Sequence, residues 1–302
     1  MTRATVFAPG SIGNVGPGFD VLGLAVDGIG DRVTVELTDG PARVEGVTGR
    51  DADLVPRDPS KNVASIAAAS WLRNAGIAKN AVVSIEKGLP LAGGLGGSAA
   101  SSVGGALAAS IAAGGGSIES VMLAALDGEA TVAGRHLDNI AATALGGLAL
   151  CRSTDPIDAV RIDAPQKWGV VLLTPRVRVE TKKARAILPQ LWDRAGWIQQ
   201  MANTAGVLRA FETADAALLR RSLHDLYAEP LRASLIPNFH EVKKAALEAG
   251  ALGCSISGGG PTIFAITEDL DERCAVAMKS AMRDVECDVR VARIAALGAR
   301  AV

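Results

Sequence analysis

One stretch of this chain constrains its fold more than any other: a strand-like run, a glycine-rich loop and a long run of small residues follow one another. The strand-like run covers residues 82–86, and the small-residue run begins at Ser98. The glycines between them are Gly93, Gly94, Gly96 and Gly97. Glycine adopts positive φ readily, so such a loop can turn several N–H groups toward one anion. A helix with Ser98 as its N-cap adds free N–H groups and a positive dipole end. This order predicts a phosphate-binding loop.

The loop has a plainer interpretation as well, which is a flexible surface turn before a tightly packed helix. It is not a Walker A loop, because the chain contains no Gly-Lys-Ser or Gly-Lys-Thr. It is not a dinucleotide fingerprint either, because the third glycine of GxGxxG is missing. Other parts of the chain must decide between a turn and a binding site.

Composition excludes several classes of protein. The 302 residues carry 31 Lys plus Arg against 32 Asp plus Glu, so a broad basic surface for nucleic acid is not expected. The four cysteines lie far apart and form no metal-binding pattern. The first twenty residues do not read as a signal peptide, and no apolar run is long enough to cross a membrane. We therefore expect a cytoplasmic, globular α+β protein with any anion site confined to one place.

The length of the chain allows two domains or one large one, and the turn signals of residues 153–158 mark either a turn or a domain border. We place the border there, between residues 1–153 and 154–302. In the first domain we expect strands at 5–8, 32–37, 82–86 and 146–151 and helices at 61–75, 98–113, 118–126 and 130–137. In the second we expect strands at 168–174, 254–257, 262–266 and 288–293 and helices at 181–188, 198–211, 214–226, 239–249 and 270–282.

Two further loops are unusual. The N-terminal loop runs from Asn14 to Asp20 and reads NVGPGFD, and the C-terminal loop runs from Ser257 to Thr262 and reads SGGGPT. Each alone is compatible with a simple turn or hairpin. All three loops in one chain are much harder to explain as turns.

With these motifs the chain resembles the GHMP small-molecule kinases over nearly its whole length. The glycine loop before Ser98 is similar to the ATP phosphate loop of that family, and SGGGPT is similar to its C-terminal motif. Five further stretches resemble the members that phosphorylate homoserine: residues 8–25, 55–63, 135–147, 181–189 and 229–239. Two positions depart from the family pattern, because Gly97 stands where the first serine of a Ser-Ser pair is usual and Ile12-Gly13 replace a Ser-Ala pair.

The resemblance implies an N-terminal domain like the second domain of ribosomal protein S5, a ferredoxin-like C-terminal domain and a site between them for ATP and Mg²⁺. It places Ser98 and Glu129 on the metal ion and Asn62 near the adenine. The ATP phosphates are expected against a continuous segment, listed here by residue: Leu91, Ala92, Gly93, Gly94, Leu95, Gly96, Gly97, Ser98 and Ala99.

The same resemblance implies L-homoserine, a zwitterion with a primary hydroxyl, as the substrate. Arg185 and Arg232 are expected to bind its carboxylate, and Asn14 and Asp20 its ammonium group. His136 and Asn139, expected three apart on one helical face, would reach the hydroxyl and the γ-phosphate. The expected catalytic residues are Asn139, His136 and Arg185. No carboxylate stands out as a base, so we expect direct attack of the hydroxyl on phosphorus.

Two rival interpretations remain at this stage: another activity on the same fold, such as a mevalonate-pathway kinase or decarboxylase, and a ligand sensor without catalysis. The two arginines and the RHLDN stretch speak against the first, and the retained Ser98 and Glu129 against the second. The resemblance also implies a homodimer.

Overall fold

The structure is a computed structural model that describes residues 2–179 and 181–302, without the side chains at 181 and 182. The strands are β1 (Arg3–Gly13), β2 (Leu22–Thr38), β3 (Arg43–Gly49), β4 (Asn80–Lys87), β5 (Leu148–Thr154), β6 (Ile157–Ile162), β7 (Gly169–Pro175), β8 (Gly253–Ile256), β9 (Ile263–Thr267), β10 (Cys287–Arg293) and β11 (Arg300–Ala301). The helices are α1 (Val63–Asn74), α2 (Gly97–Ala112), α3 (Ile118–Ala130), α4 (Asp138–Leu145), α5 (Thr181–Ala186), α6 (Arg194–Thr213), α7 (Ala216–Ser222), α8 (Glu229–Arg232), α9 (Phe239–Glu248) and α10 (Glu272–Met282).

The first sheet is built around the long antiparallel pair of β1 and β2. Among the described residues its main path runs β11-β1-β2-β4-β3, and the hairpin of β5 and β6 joins it through β2. Helices α1 to α4 bury their Ala-rich faces against this sheet. The small residues of α2 allow close packing, since a Cβ on Gly105 would lie 2.2 Å from the carbonyl oxygen of Ala64 in α1. The small-residue run is thus the centre of the first core.

The second sheet is antiparallel and has the order β10-β7-β9-β8. Its strands therefore stand in the order fourth, first, third, second of their order along the chain. Helices α5 to α9 lie between β7 and β8 in the chain, and α10 lies between β9 and β10. Helices α9 and α10 pack together and close an apolar core that includes Phe239, Cys254 and Met278. This half has the α+β arrangement that was expected of it.

Two expectations differ from the structure. The border expected at 153/154 cuts the hairpin of β5 and β6, although both strands belong to the first sheet. The first sheet therefore includes the chain up to Ile162, and it also takes β11 from near the C-terminus. The helix expected at 130–137 is wrong, because residues 131–137 form turns and Gly134 has φ +100°. Helix α4 begins at Asp138 instead, and no side chain caps its start, so the usual signal in the sequence is missing.

Candidate active site

A cavity of about 410 Å³ lies where the two halves of the protein meet. Three loops line it: the substrate loop (residues 14–20), the phosphate loop (residues 90–98) and the C-terminal hairpin (residues 257–262). The three motifs that stood out in the sequence therefore meet at one place, although the first and the last lie more than 230 residues apart in the chain. The simple-turn interpretation does not account for this convergence.

The C-terminal hairpin holds the phosphate loop in place. The hydroxyl groups of Thr262 and Ser257 donate hydrogen bonds to the carbonyl oxygens of Gly93 and Gly94. Gly94 has φ +78°, and a Cβ there would lie 2.8 Å from the carbonyl oxygens of Ser257 and Gly260. Glycine at this position thus permits both the backbone conformation and the close approach of the two loops.

The phosphate loop leads directly into α2. The N-cap of α2 is Gly96 with φ +65°, not Ser98 as expected, and Ser98 occupies the first turn. Within the described residues, the amides of Gly93 and Gly96 donate to no protein acceptor. The first N–H groups of α2 have no acceptor within the helix, and they lie close to these two loop amides. Unpaired N–H groups at the start of a helix are the arrangement that binds phosphate oxygens.

Ser98 and Glu129 form a pair of oxygen donors beside this helix start. The Ser98 hydroxyl donates to Glu129 Oε1 at 2.9 Å. Glu129 is 6% exposed, and its Oε2 has no hydrogen-bond partner among the described residues. Burial raises the pKa of Glu129 to about 7, and the Ser98 hydroxyl opposes that rise. A buried carboxylate oxygen without a partner fits a hard cation.

A buried ion pair lies beneath the phosphate loop. Lys87 Nζ donates to Asp31, to the Ser101 hydroxyl at 3.1 Å and to the carbonyl oxygen of Gly97 at 3.2 Å. Asp31 is fully buried and also accepts from the Ser101 hydroxyl at 2.7 Å. This pair fixes the first turn of α2, because the Lys87 ammonium group donates hydrogen bonds to both Gly97 and Ser101. The sequence analysis did not single out Lys87, which lines the cavity.

At the other end of the cavity, the substrate loop meets α5 and α8. Arg185 donates to both carboxylate oxygens of Asp20, at 2.7 and 2.9 Å. Arg232 is 3% exposed and donates to the carbonyl oxygens of Ala184 and Gly258. The Phe19 ring lies 5.1 Å from the Arg185 guanidinium carbon and 5.3 Å from that of Arg232. The site thus contains the Asp20 carboxylate and two guanidinium groups, and both guanidinium groups lie over the Phe19 ring.

The RHLDN stretch supplies the floor between the two ends. His136 lies before α4 rather than within it, so the expected helical pairing with Asn139 is wrong, although both residues line the cavity. Burial, opposed by Asp20, lowers the pKa of His136, which favours the neutral ring at pH 7. Asn139 accepts a hydrogen bond from the Ser11 hydroxyl at 2.9 Å.

Asp138 is a carboxylate that the sequence analysis missed, although it lies inside the quoted stretch. It is 3% exposed, lines the cavity and accepts a hydrogen bond from the backbone N–H of Asn14 at 3.2 Å. Burial and the nearby Asp20 raise its pKa to about 6. Asp138 is therefore a carboxylate in the cavity that no sequence motif marked as a base, and direct attack without a base stays a prediction.

Most of the predicted site residues line this one cavity: Asn14, Asp20, Asn62, Leu91, Ala92, Gly93, Gly94, Gly96, Gly97, Ser98, Glu129, His136, Asn139, Arg185 and Arg232. Leu95 and Ala99 do not, because both side chains are buried in the apolar core. Asn62 is the N-cap of α1, where its Oδ1 accepts from the amides of Ala64 and Ser65. Its Nδ2 donates to Pro56, which leaves one N–H for a ligand.

Among the described residues, no group of three or more His, Cys, Asp or Glu side chains lies close enough together to hold a metal ion. In the same part of the chain, no helix is long and apolar enough to cross a membrane.

Comparisons with known proteins agree on one family. Residues 62–147 match the GHMP kinases N terminal domain, and residues 207–284 match GHMP kinases C terminal. The homoserine kinase of Chloroherpeton thalassium is 39% identical over 318 residues, which covers 99% of both chains. That of Pyrococcus abyssi is 39% identical over 272 residues, covering 89% of this chain and 90% of the relative.

Solved structures give the same result. The crystal structure of homoserine kinase from Cytophaga hutchinsonii has a TM-score of 0.94 and 38% identity, and covers 100% of this chain and 98% of that one. Galactokinase of Lactococcus lactis complexed with galactose has a TM-score of 0.73 at 15% identity, covering 99% of this chain and 95% of that one. The second likeness concerns the fold alone.

Proposed function

The chain belongs to the GHMP kinase family, and from this premise we propose that it transfers the γ-phosphoryl group of ATP to the hydroxyl of L-homoserine. The product is O-phospho-L-homoserine, an intermediate of threonine biosynthesis. The full-length similarity to homoserine kinases supports this substrate, and the contents of the cavity agree with it. The α+β fold in two parts, expected from the sequence, is confirmed by both family matches.

The observation that carries the proposal is the pairing of Asp20 with Arg185 in the same cavity as the phosphate loop. An α-amino acid carries its ammonium and carboxylate groups on one carbon atom. Such a zwitterion can place its ammonium group on Asp20 and its carboxylate on Arg185 and Arg232, so that every charge keeps an opposite partner. Neutral substrates such as sugars offer no partner to these charges.

At the phosphate end, we propose that the amides of the phosphate loop and the start of α2 bind the β- and γ-phosphates of ATP. Asn62 lines the cavity together with the apolar side chains of Val55, Val63 and Ile85, and we propose these residues for the adenine. Ser98 and Glu129 fit Mg²⁺, with phosphate oxygens and water as its other ligands. When bound, Mg²⁺ neutralises charge that develops on the transferred group.

We propose that Asp138 accepts the proton of the substrate hydroxyl. Its carboxylate lines the cavity next to Asn139 and is more basic than an ordinary aspartate. Asp20 is less suited to this role because its carboxylate is the proposed partner of the substrate ammonium group. Asn139 and the neutral ring of His136 orient the hydroxyl, and Arg185 holds the carboxylate while the phosphoryl group moves.

A substrate panel tests this proposal. The release of ADP is measured with MgATP alone and with L-homoserine, L-serine, mevalonate or galactose. We expect turnover above the ATP-only rate with L-homoserine, and formation of its phosphate ester by mass spectrometry. Equal ADP release with and without L-homoserine would contradict the proposal, and turnover of mevalonate or galactose instead would assign another activity on the same fold.

The family resemblance also leads us to propose a homodimer and a place in the cytoplasm. Sedimentation equilibrium of the purified protein tests the first, with a mass of about twice 30.8 kDa expected. Cell fractionation tests the second.

A further inference from the structure

A cluster of buried polar side chains lies behind the substrate end of the cavity. Its members are Gln200, Asn203 and Thr204 of α6 and Asp225 of the segment before α8. Gln200, Asn203 and Asp225 are only 5–8% exposed, and none of the four lines the cavity. Burying such groups costs free energy unless they are well paired. The hydrogen-bond partners of these residues therefore indicate which segments the cluster holds in place.

Gln200 uses both ends of its amide group to join two distant segments. Its Nε2 donates to the carbonyl oxygen of Pro17 at 2.9 Å and to Asp225 Oδ1 at 2.8 Å. Its Oε1 accepts from the amide of Leu226 at 2.8 Å. The Thr204 hydroxyl also donates to the Pro17 oxygen, at 2.9 Å. Pro17 belongs to the substrate loop and lies three residues before Asp20.

Asp225 arranges the other segment. Besides Gln200, its carboxylate accepts hydrogen bonds from the amides of Tyr227, Ala228 and Glu229, at 2.8, 3.1 and 2.8 Å. These amides belong to the turn that leads into α8, and the last residue of α8 is Arg232. The carboxylate thus sets the direction in which α8 leaves the turn, and with it the position of Arg232.

We propose that Gln200 and Asp225 are positioning residues that set the separation between Asp20 and Arg232. Through Pro17 they hold the loop that binds the substrate ammonium group, and through α8 they hold a cation that binds its carboxylate. This inference rests on the proposed function. The nucleotide end depends on α2, α3 and the C-terminal hairpin, and in the described part of the chain the cluster residues form no hydrogen bond with any of them. The link between the two ends is Arg232, which donates to Gly258 of the hairpin. Loss of the cluster is therefore expected to affect L-homoserine much more than ATP.

The test compares Gln200→Leu with Gln199→Leu. Leucine is close to glutamine in size but forms none of the three hydrogen bonds. Gln199 is the neighbouring residue of the same type and is exposed. Its Nε2 donates to Asn203, the cluster member that bonds neither Pro17 nor Asp225, so the control leaves both of those contacts in place. We expect Gln200→Leu to raise the KM for L-homoserine about tenfold and to change the KM for MgATP less than twofold. Gln199→Leu should change neither.

A double-mutant cycle with Asp225→Asn examines the coupling. Asparagine keeps one carbonyl oxygen but turns the other acceptor into a donor that faces backbone amides. If both residues act through one contact, the double variant should lose less kcat/KM for L-homoserine than the product of the single losses. Independent, multiplicative losses would contradict a shared positioning role.

Thr204→Val decides the matter if Gln200→Leu does not fold, because valine has nearly the same shape and removes one hydroxyl, which lies 2.9 Å from the carbonyl oxygens of both Pro17 and Gln200. A homoserine-specific rise in KM of about threefold is expected. An unchanged homoserine KM, or an equal rise in both KM values, overturns the inference and leaves a purely structural cluster. If the unmodified protein does not phosphorylate L-homoserine, the proposed function itself fails, which is a distinct result.

Discussion

Glu129 should make the binding of the magnesium–nucleotide complex depend on pH. Its carboxyl group is buried, and burial raises its pKa to about 7. A carboxylate must be ionised before it can hold a metal ion, so below pH 7 the binding of Mg²⁺ must first displace a proton. Affinity is therefore expected to fall as the pH falls through 7 and to level off above it.

The size of the effect follows from the ionised fraction. With a pKa of about 7, Glu129 is ionised to about 0.9 at pH 8 and about 0.09 at pH 6, a loss of about tenfold in affinity or about 1.4 kcal/mol. The assay is a calorimetric titration of the protein with the Mg²⁺ complex of a non-hydrolysable ATP analogue at pH 6, 7 and 8. The phosphates of the nucleotide titrate in the same range, so the Glu129→Gln variant serves as the reference.

The ratio of the affinities of the two proteins isolates Glu129, because the titration of the nucleotide is common to both. We expect this ratio to change about tenfold between pH 6 and pH 8. The change should disappear when EDTA removes Mg²⁺. An identical pH dependence in the two proteins would refute the reasoning and would remove Glu129 from the metal site.

Three other substitutions address the rest of the site. Arg232→Ala should raise the KM for L-homoserine by about 30-fold or more, equivalent to at least about 2 kcal/mol, because it removes a buried charge-assisted pair; steady-state kinetics with an unchanged KM would exclude Arg232 from the site. Asp138→Asn should lower kcat about 100-fold with little change in either KM. In the unmodified protein, kcat should decrease as the pH is lowered through about 6, because Asp138 takes up a proton there. An unchanged kcat in the variant would favour direct attack without a base. Gly94→Ala should raise the KM for ATP about tenfold because its Cβ would press on the C-terminal hairpin; Gly28→Ala, with a similar φ of +73° and open space around it, is the control that should leave both KM values unchanged.

Much of the site was predictable because its chemistry is concentrated in short motifs. A phosphate loop needs glycines in sequence before a helix, and this requirement is visible in residues 93–98 without a structure. The roles of Asp20, Arg185 and Arg232 came from the family resemblance, and the structure places all three at one end of one cavity. Their individual roles stay predictions until the substitutions are measured.

The errors have a common cause. Ser98 has the residue type of an N-cap, but Gly96 takes that position because the loop must bend sharply against Ser11 and Asn139. Asn62 is not an error of this kind, but it shows the same choice between uses, because its Oδ1 caps α1 and its Nδ2 donates to Pro56 while one N–H remains for a ligand. In both cases local propensity is correct about what the residue can do, and the packing decides which of its uses is taken.

The sequence alone determined most of the longer helices, the three glycine-containing loops and the family, since these depend on residue types at short spacing. Only the tertiary structure decided that Asp138 lies buried in the cavity with a raised pKa, and that Gln200 and Asp225 join the substrate loop to α8. The physical reason is that burial and long-range hydrogen bonds are properties of residues brought together by folding. Gln200 and Pro17 lie 183 positions apart, and no local pattern in the chain records that they meet.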